Sequence, residues 1–215
     1  MLTPNNLSNS RRTLLWAEML MLFGGIPFLH YYKILPFHFI VTMLLLSAVA
    51  VTYIIRHPAV SNWVFGLNGF NDWRYLWGLF ALFAIGSTLF VYLTTPDQLF
   101  IMPRQEPLRW LAVMGFYPVF SGVTQELLFR GFFMERYKHL FASPNMLIFV
   151  NGVLFGLAHL MFGHWLTVFL STLGGFIYAG LYYRYKSILI ASIVHGLIGN
   201  WIFTVGLGQY FYLKQ

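Results

Sequence analysis

Glu126, His159 and His195 are ionisable residues that lie inside apolar stretches in the second half of this 215-residue chain. Such groups are costly inside a membrane and mark a cavity or a reaction site. A carboxylate and two imidazoles in a partly wet cavity suit hydrolysis. The carboxylate can take a proton from water and pass it to a leaving amine. One imidazole can orient that water, and the other can donate, with an amide such as Asn200 or Asn151, to a developing oxyanion. The same three residues could instead hold Zn²⁺ with water as a fourth ligand. They lack the helical His-Glu-x-x-His spacing, so zinc is the less favoured chemistry, and the expectation is that no cofactor takes part.

The chain that must position them is 59% hydrophobic and 9% charged, against about 25% charged in soluble domains. It contains no cysteine, which removes disulfides, thiolate metal sites and cysteine nucleophiles together. The net charge of +7 could suggest nucleic acid. The basic residues fall between apolar runs, however, where they face lipid head groups and the cytoplasm. An all-α, polytopic transmembrane bundle is expected, with membrane lipid as a partner and no nucleic acid.

A helix needs roughly 20 apolar residues to cross the hydrocarbon core. About seven spans follow: 13–30, 36–55, 73–94, 108–137, 145–162, 166–183 and 188–205. The first and sixth are the weakest, interrupted by Pro27 and by Gly174-Gly175. Residues 1–107 then carry about three spans, 108–205 a helical core with the ionisable residues, and 206–215 a short tail. The polar N-terminal stretch precedes an apolar run without a small-residue cleavage site, so a retained first span is expected. Arg11, Arg12, Arg56, Arg74, Arg136, Lys138, Arg184 and Lys186 fall on one side, and Lys33, Arg104, Arg109 and Lys214 on the other. That bias places the N-terminus in the cytoplasm.

Depth can be counted from these basic markers. Glu126 lies ten residues before Arg136, and His195 nine after Lys186. At about 1.5 Å per residue both lie roughly 14 Å inside the cytoplasmic boundary, and His159 about 21 Å in. Glu126 and Arg130 are four apart and can pair; Arg130 is expected to snorkel to the interface and leave Glu126 facing inward. Glu18 is expected to be neutralised by Arg11 or Arg12. Small residues at Gly152 and Gly156, and at Gly175 and Ala179, suggest close helix approach.

Glu-Leu-Leu-Phe-Arg-Gly at 126–131, Phe-x-x-x-His at 155–159 and the motif at His195 together resemble the CPBP family. That family comprises the CAAX prenyl endopeptidases and the bacteriocin-processing, Abi-type intramembrane proteases. The resemblance covers roughly residues 108–203. It implies a multi-helix intramembrane endopeptidase of the glutamic type, once described as metal-dependent, whose cavity opens to the cytoplasm. Its substrate would be a membrane-associated or C-terminally anchored peptide or protein.

Two positions depart from the family pattern. Gln125 stands where the first, water-activating Glu is usual, and an amide is no general base. Gly199 stands where Asn usually follows the last His by four, and the amide here is Asn200. The expected catalytic residues are therefore Glu126, His159 and His195, supported by Gln125, Arg130, Asn151 and Asn200. A helix shift or wider bulge would be needed to aim Glu126 inward, since successive helical residues differ by about 100°. Two other classes compete: an inactive member that binds peptides or partner helices, and a proton-coupled transporter. The latter is disfavoured by the lack of an inverted repeat.

Overall fold

The computed structural model describes residues 8–36, 38–62, 64, 66–67 and 69–212. Most of the polar N-terminal stretch and Lys214 lie outside them. Among the described residues there is helix and no strand. Seven long helical segments follow the expected order: α1 (Asn9–Tyr31), α2 (Phe39–Ile55), α3 (Phe70–Thr94), α4 (107–137), α5 (Pro144–Phe162), α6 (Trp165–Tyr185) and α7 (Ile188–Val205). Five of them, α1, α3, α5, α6 and α7, are long and apolar enough to cross a membrane, and α2 is a shorter apolar helix. α4 is an unbroken helical run of comparable length that carries more charge.

Local chemistry sets the ends of these helices. Pro144 opens α5 behind Ser143, whose Oγ accepts from Met146 N at 3.2 Å. Ser187 caps α7 in the same way, accepting from Ile190 N at 3.1 Å, and Gly206 closes that helix at φ 112°. The two expected interruptions behave differently. Gly174 and Gly175 lie within a continuous α6. Near Pro27 the first helix widens to π geometry over Met21–Gly25, because proline offers no N–H to the turn before it.

The bundle is radially asymmetric. α7 is two-thirds buried within the protein (67% of its span) and packs against α3, α4 and α6, whereas only 11% of the α3 span is buried. The outward faces of α1, α2 and α3 expose Leu14, Leu45, Leu82, Ile85 and Leu93. A soluble protein rarely shows an apolar face of that extent; in a membrane it meets lipid. The chain is an integral, multi-pass membrane protein.

Glycines set the closest helix approach. A methyl added to Gly156 would lie 1.8 Å from Thr172 Oγ1, and one on Gly175 2.8 Å from Gly152 Cα. α5 and α6 therefore pack as a tight hairpin through the small residues expected to mediate it.

Polar ties gather helix ends with the expected alternation. At one end Asp72 accepts from Arg184 at 2.9 Å and from Tyr185 Oη at 2.7 Å, while Glu135 accepts from Lys138 at 2.9 Å and from Tyr182 Oη at 3.0 Å. At the other end Trp110 Nε1 donates to Thr204 Oγ1 at 2.9 Å. Glu18 is neutralised by Arg136, at 2.5 and 2.6 Å, and by the Tyr137 hydroxyl at 2.7 Å, rather than by Arg11 or Arg12. The bidentate fork of a residue distant in sequence prevails over neighbours on the same helix.

Candidate active site

The site is assembled where α4 crosses α7. Pro118 sits inside α4 and cannot complete an α-helical hydrogen bond, and the helix runs in π geometry over Pro118–Val123. A second π stretch covers Leu127–Met134. The three residues Thr124–Glu126 form the α-helical step between them. Opposite, α7 offers Gly196 and Gly199. A methyl on Gly196 would lie 3.0 Å from Pro118 Cβ, and one on Gly199 1.9 Å from the Tyr117 ring. These two glycines let the helices approach until their polar residues touch.

Glu126 is completely buried, and both of its oxygens are engaged. Oε1 lies 2.8 Å from His195 Nδ1, and Oε2 lies 3.0 Å from Arg130 Nε. A carboxylate only accepts, so Nδ1 of His195 carries the hydrogen and Nε2 is left as an acceptor. The hydroxyl of Tyr117 lies 3.1 Å from that Nε2. Tyr178 stacks on the imidazole face at 4.5 Å and 11°, and Phe155 meets it edge-on at 5.6 Å. The imidazole is thus fixed in position, orientation and tautomer.

Arg130 does not snorkel. It is fully buried, its Nη2 donates to Gly175 O at 3.0 Å, and its guanidinium lies over Phe155 at 4.8 Å and Tyr178 at 5.5 Å. A delocalised guanidinium suits such a place because aromatic faces replace part of its hydration.

Next to this couple lies a cavity of about 680 Å³ between α1, α2 and α4 and the ends of α5 and α7. Its walls are mainly apolar, including Phe23, Met43, Phe116, Leu128 and Phe203. Tyr117, Ser121, Gln125 and His159 form a polar strip on that wall. Gln125 donates its amide to Ser121 Oγ at 2.8 Å. His159 stands where α5 gives way to a 3₁₀ turn. Its Nδ1 is bonded to Phe155 O at 2.8 Å, so Nδ1 carries the hydrogen and Nε2 is unspent.

The structure therefore joins Glu126, Arg130 and His195 directly, and sets His159 with Gln125 on the cavity wall. Phe155 stands between the groups, its ring 5.0 Å from His159 and 5.6 Å from His195. Glu126 does not line the cavity. The supporting amides are engaged elsewhere: Asn151 donates to Phe129 O at 2.9 Å and Asn200 to Met114 O at 3.1 Å. His30 pairs with Thr42 at 2.8 Å, and His139 is exposed. Sequence reasoning missed Tyr117 and Tyr178. An aromatic in an apolar span reads as packing, and the only signal for Tyr117 was the glycine at 199 that makes room for it.

Glu126, His159 and His195 do not fit a zinc site. The carboxylate and His195 are bonded to each other rather than turned toward a shared point, and the second oxygen already faces the Arg130 cation. Among the described residues no group of three or more His, Cys, Asp or Glu converges to hold a metal.

Neither a curated protein nor a solved structure gives a significant match to the chain. Residues 107–201, which run from the start of α4 into α7 and contain the whole Glu126–His195 couple, match the family described as Rce1-like, type II CAAX prenyl endopeptidase Rce1-like. The resemblance read from the motifs at 126–131, 155–159 and 195 is thus met by an independent similarity of the site-building segment to CAAX-type prenyl endopeptidases.

Proposed function

We propose that the chain is an intramembrane endopeptidase that hydrolyses a peptide bond in a membrane-associated or C-terminally anchored substrate. The observation that carries this reading is the buried Glu126–His195 couple beside an apolar cavity whose wall bears the unspent nitrogen of His159. The cavity takes the apolar part of the substrate. Excluding bulk water there strengthens each hydrogen bond to the reacting peptide.

In this reading His159 Nε2 accepts a proton from a water molecule, and the water oxygen forms a bond to the scissile carbonyl carbon. The tetrahedral intermediate then collapses. The C–N bond breaks, the proton held by His159 passes to the leaving nitrogen, and a carboxylic acid and an amine result. Glu126, held by Arg130, acts at one remove: it keeps Nε2 of His195 directed toward the Tyr117 hydroxyl. It is therefore a positioning residue. No metal enters any step. The charge bias of the loops supports an N-terminus in the cytoplasm.

The amide of Gln125 on the cavity wall favours a second reading, in which the chain binds such a peptide without cleaving it. Cleavage of a farnesylated CAAX-type peptide by the full chain in liposomes separates the two. The peptidase reading expects turnover by the wild type and its loss in His159→Gln. It also expects a gain of about tenfold or more in Gln125→Glu, which puts a carboxylate on the wall. Binding without cleavage in wild type and Gln125→Glu alike would establish the second reading.

A further inference from the structure

The hydrolysis proposed above develops negative charge on the carbonyl oxygen, and that charge needs a donor. The amide expected for the task, Asn200, donates to Met114 O and does not line the cavity. Gly199 has no side chain to offer. What fills the space over Gly199 is Tyr117: a methyl there would lie 1.9 Å from its Cε1, 2.3 Å from Cζ and 2.4 Å from Oη. The absence of a side chain at 199 is thus what lets the phenol end of Tyr117 reach across α7. Its hydroxyl lies 3.1 Å from His195 Nε2, and the same residue lines the cavity. Phe203 packs edge-on against the ring at 5.5 Å, and the π stretch begins at the next residue, Pro118.

We infer that Tyr117 is a catalytic residue whose hydroxyl donates to the oxyanion of the tetrahedral intermediate. The inference rests on the peptidase reading. At rest the O–H donates to His195 Nε2, the nitrogen turned away from Glu126, which holds it at the cavity wall. A phenolic hydrogen rotates about its C–O bond, and an oxyanion is a stronger acceptor than a neutral imidazole. The O–H turns to the oxyanion as it forms and returns to Nε2 when the carbonyl reforms. The proton stays on Tyr117 throughout, and no covalent bond to the protein is made or broken. Gly199 and Tyr117 act as a pair: the first clears the place and the second supplies the donor.

Tyr117→Phe removes the hydroxyl and keeps the ring over Gly199. With the full chain in liposomes and a farnesylated CAAX-type peptide, kcat should fall by about 10²–10³ while KM stays within about twofold. A second arm needs no turnover. A peptidyl trifluoromethyl ketone, whose hydrate copies the tetrahedral carbon, is compared with the matching amide peptide for binding. Tyr117→Phe should weaken the ketone by about tenfold or more and leave the amide unchanged. A kcat within about threefold of wild type overturns the inference, as does equal weakening of both ligands, which marks a structural role. A wild type that cleaves nothing defeats the peptidase reading. The ketone arm then judges Tyr117 alone, and a wild type with no preference for ketone over amide overturns it.

Discussion

Replacing Glu126 by glutamine tests the centre of the site, and the structure separates two effects that a single activity measurement would merge. Both side chains of the Glu126–Arg130 pair are fully buried, with 3.0 Å between Nε and Oε2. Glu126→Gln leaves a buried guanidinium with one carbonyl partner, Gly175, and aromatic faces. Breaking a buried pair on one side costs about 3–5 kcal/mol, whereas removing both charges together is often close to neutral. Glu126→Gln should therefore be destabilised, and Glu126→Gln/Arg130→Met should recover most of that loss. Turnover should not follow stability. In both variants His195 has lost the anion that fixes its tautomer and with it the acceptor that holds the Tyr117 hydroxyl, and loss of an oxyanion donor costs about 10²–10³ in rate. The assay is thermal unfolding in detergent by tryptophan fluorescence, paired with cleavage in liposomes normalised to folded protein. A double variant with wild-type turnover would refute the reasoning, and so would a single variant of unchanged stability.

Gly156→Ala should destabilise the protein by about 1–3 kcal/mol, since the added methyl meets Thr172 Oγ1 at 1.8 Å and the Val168 carbonyl at 3.0 Å. Gly86→Ala, with open space around it, should show no such loss in the same unfolding measurement. Reporter fusions should place the N-terminus and the loop between α4 and α5 in the cytoplasm, and the loop around Pro103 outside; a cytoplasmic Pro103 reverses the orientation.

The spans were legible because hydropathy and length are properties of the chain alone: 73–94 and 188–205 coincide with the helices Trp73–Thr94 and Ile188–Val205. Counting residues from Arg136 and Lys186 put Glu126 and His195 at one depth, and the two are hydrogen-bonded. Depth says nothing about azimuth, however. Which neighbour of the Gln125-Glu126 pair faces the cavity depends on two π stretches whose extent a uniform 100° step cannot show. Arg130 was expected at the interface because a long side chain four residues from Glu126 can reach water. The faces of Phe155 and Tyr178, supplied by α5 and α6, hold it inside instead. Partners distant in sequence, such as Arg136 for Glu18, are set by packing that no local window contains.

The two π stretches of α4 bear on how chains of this kind can differ in length. A π turn closes on the fifth residue rather than the fourth, so it holds about one residue more than the α turn it replaces. A deletion of one residue within Leu127–Met134 could therefore be absorbed by reversion to α geometry, with both ends of the helix kept in place. Residues on either side would keep their neighbours, while those inside the stretch would turn around the axis. Arg130 lies inside it and Glu126 immediately before it. Gain or loss of a residue here is thus a means of rotating the guanidinium against the carboxylate without disturbing the bundle.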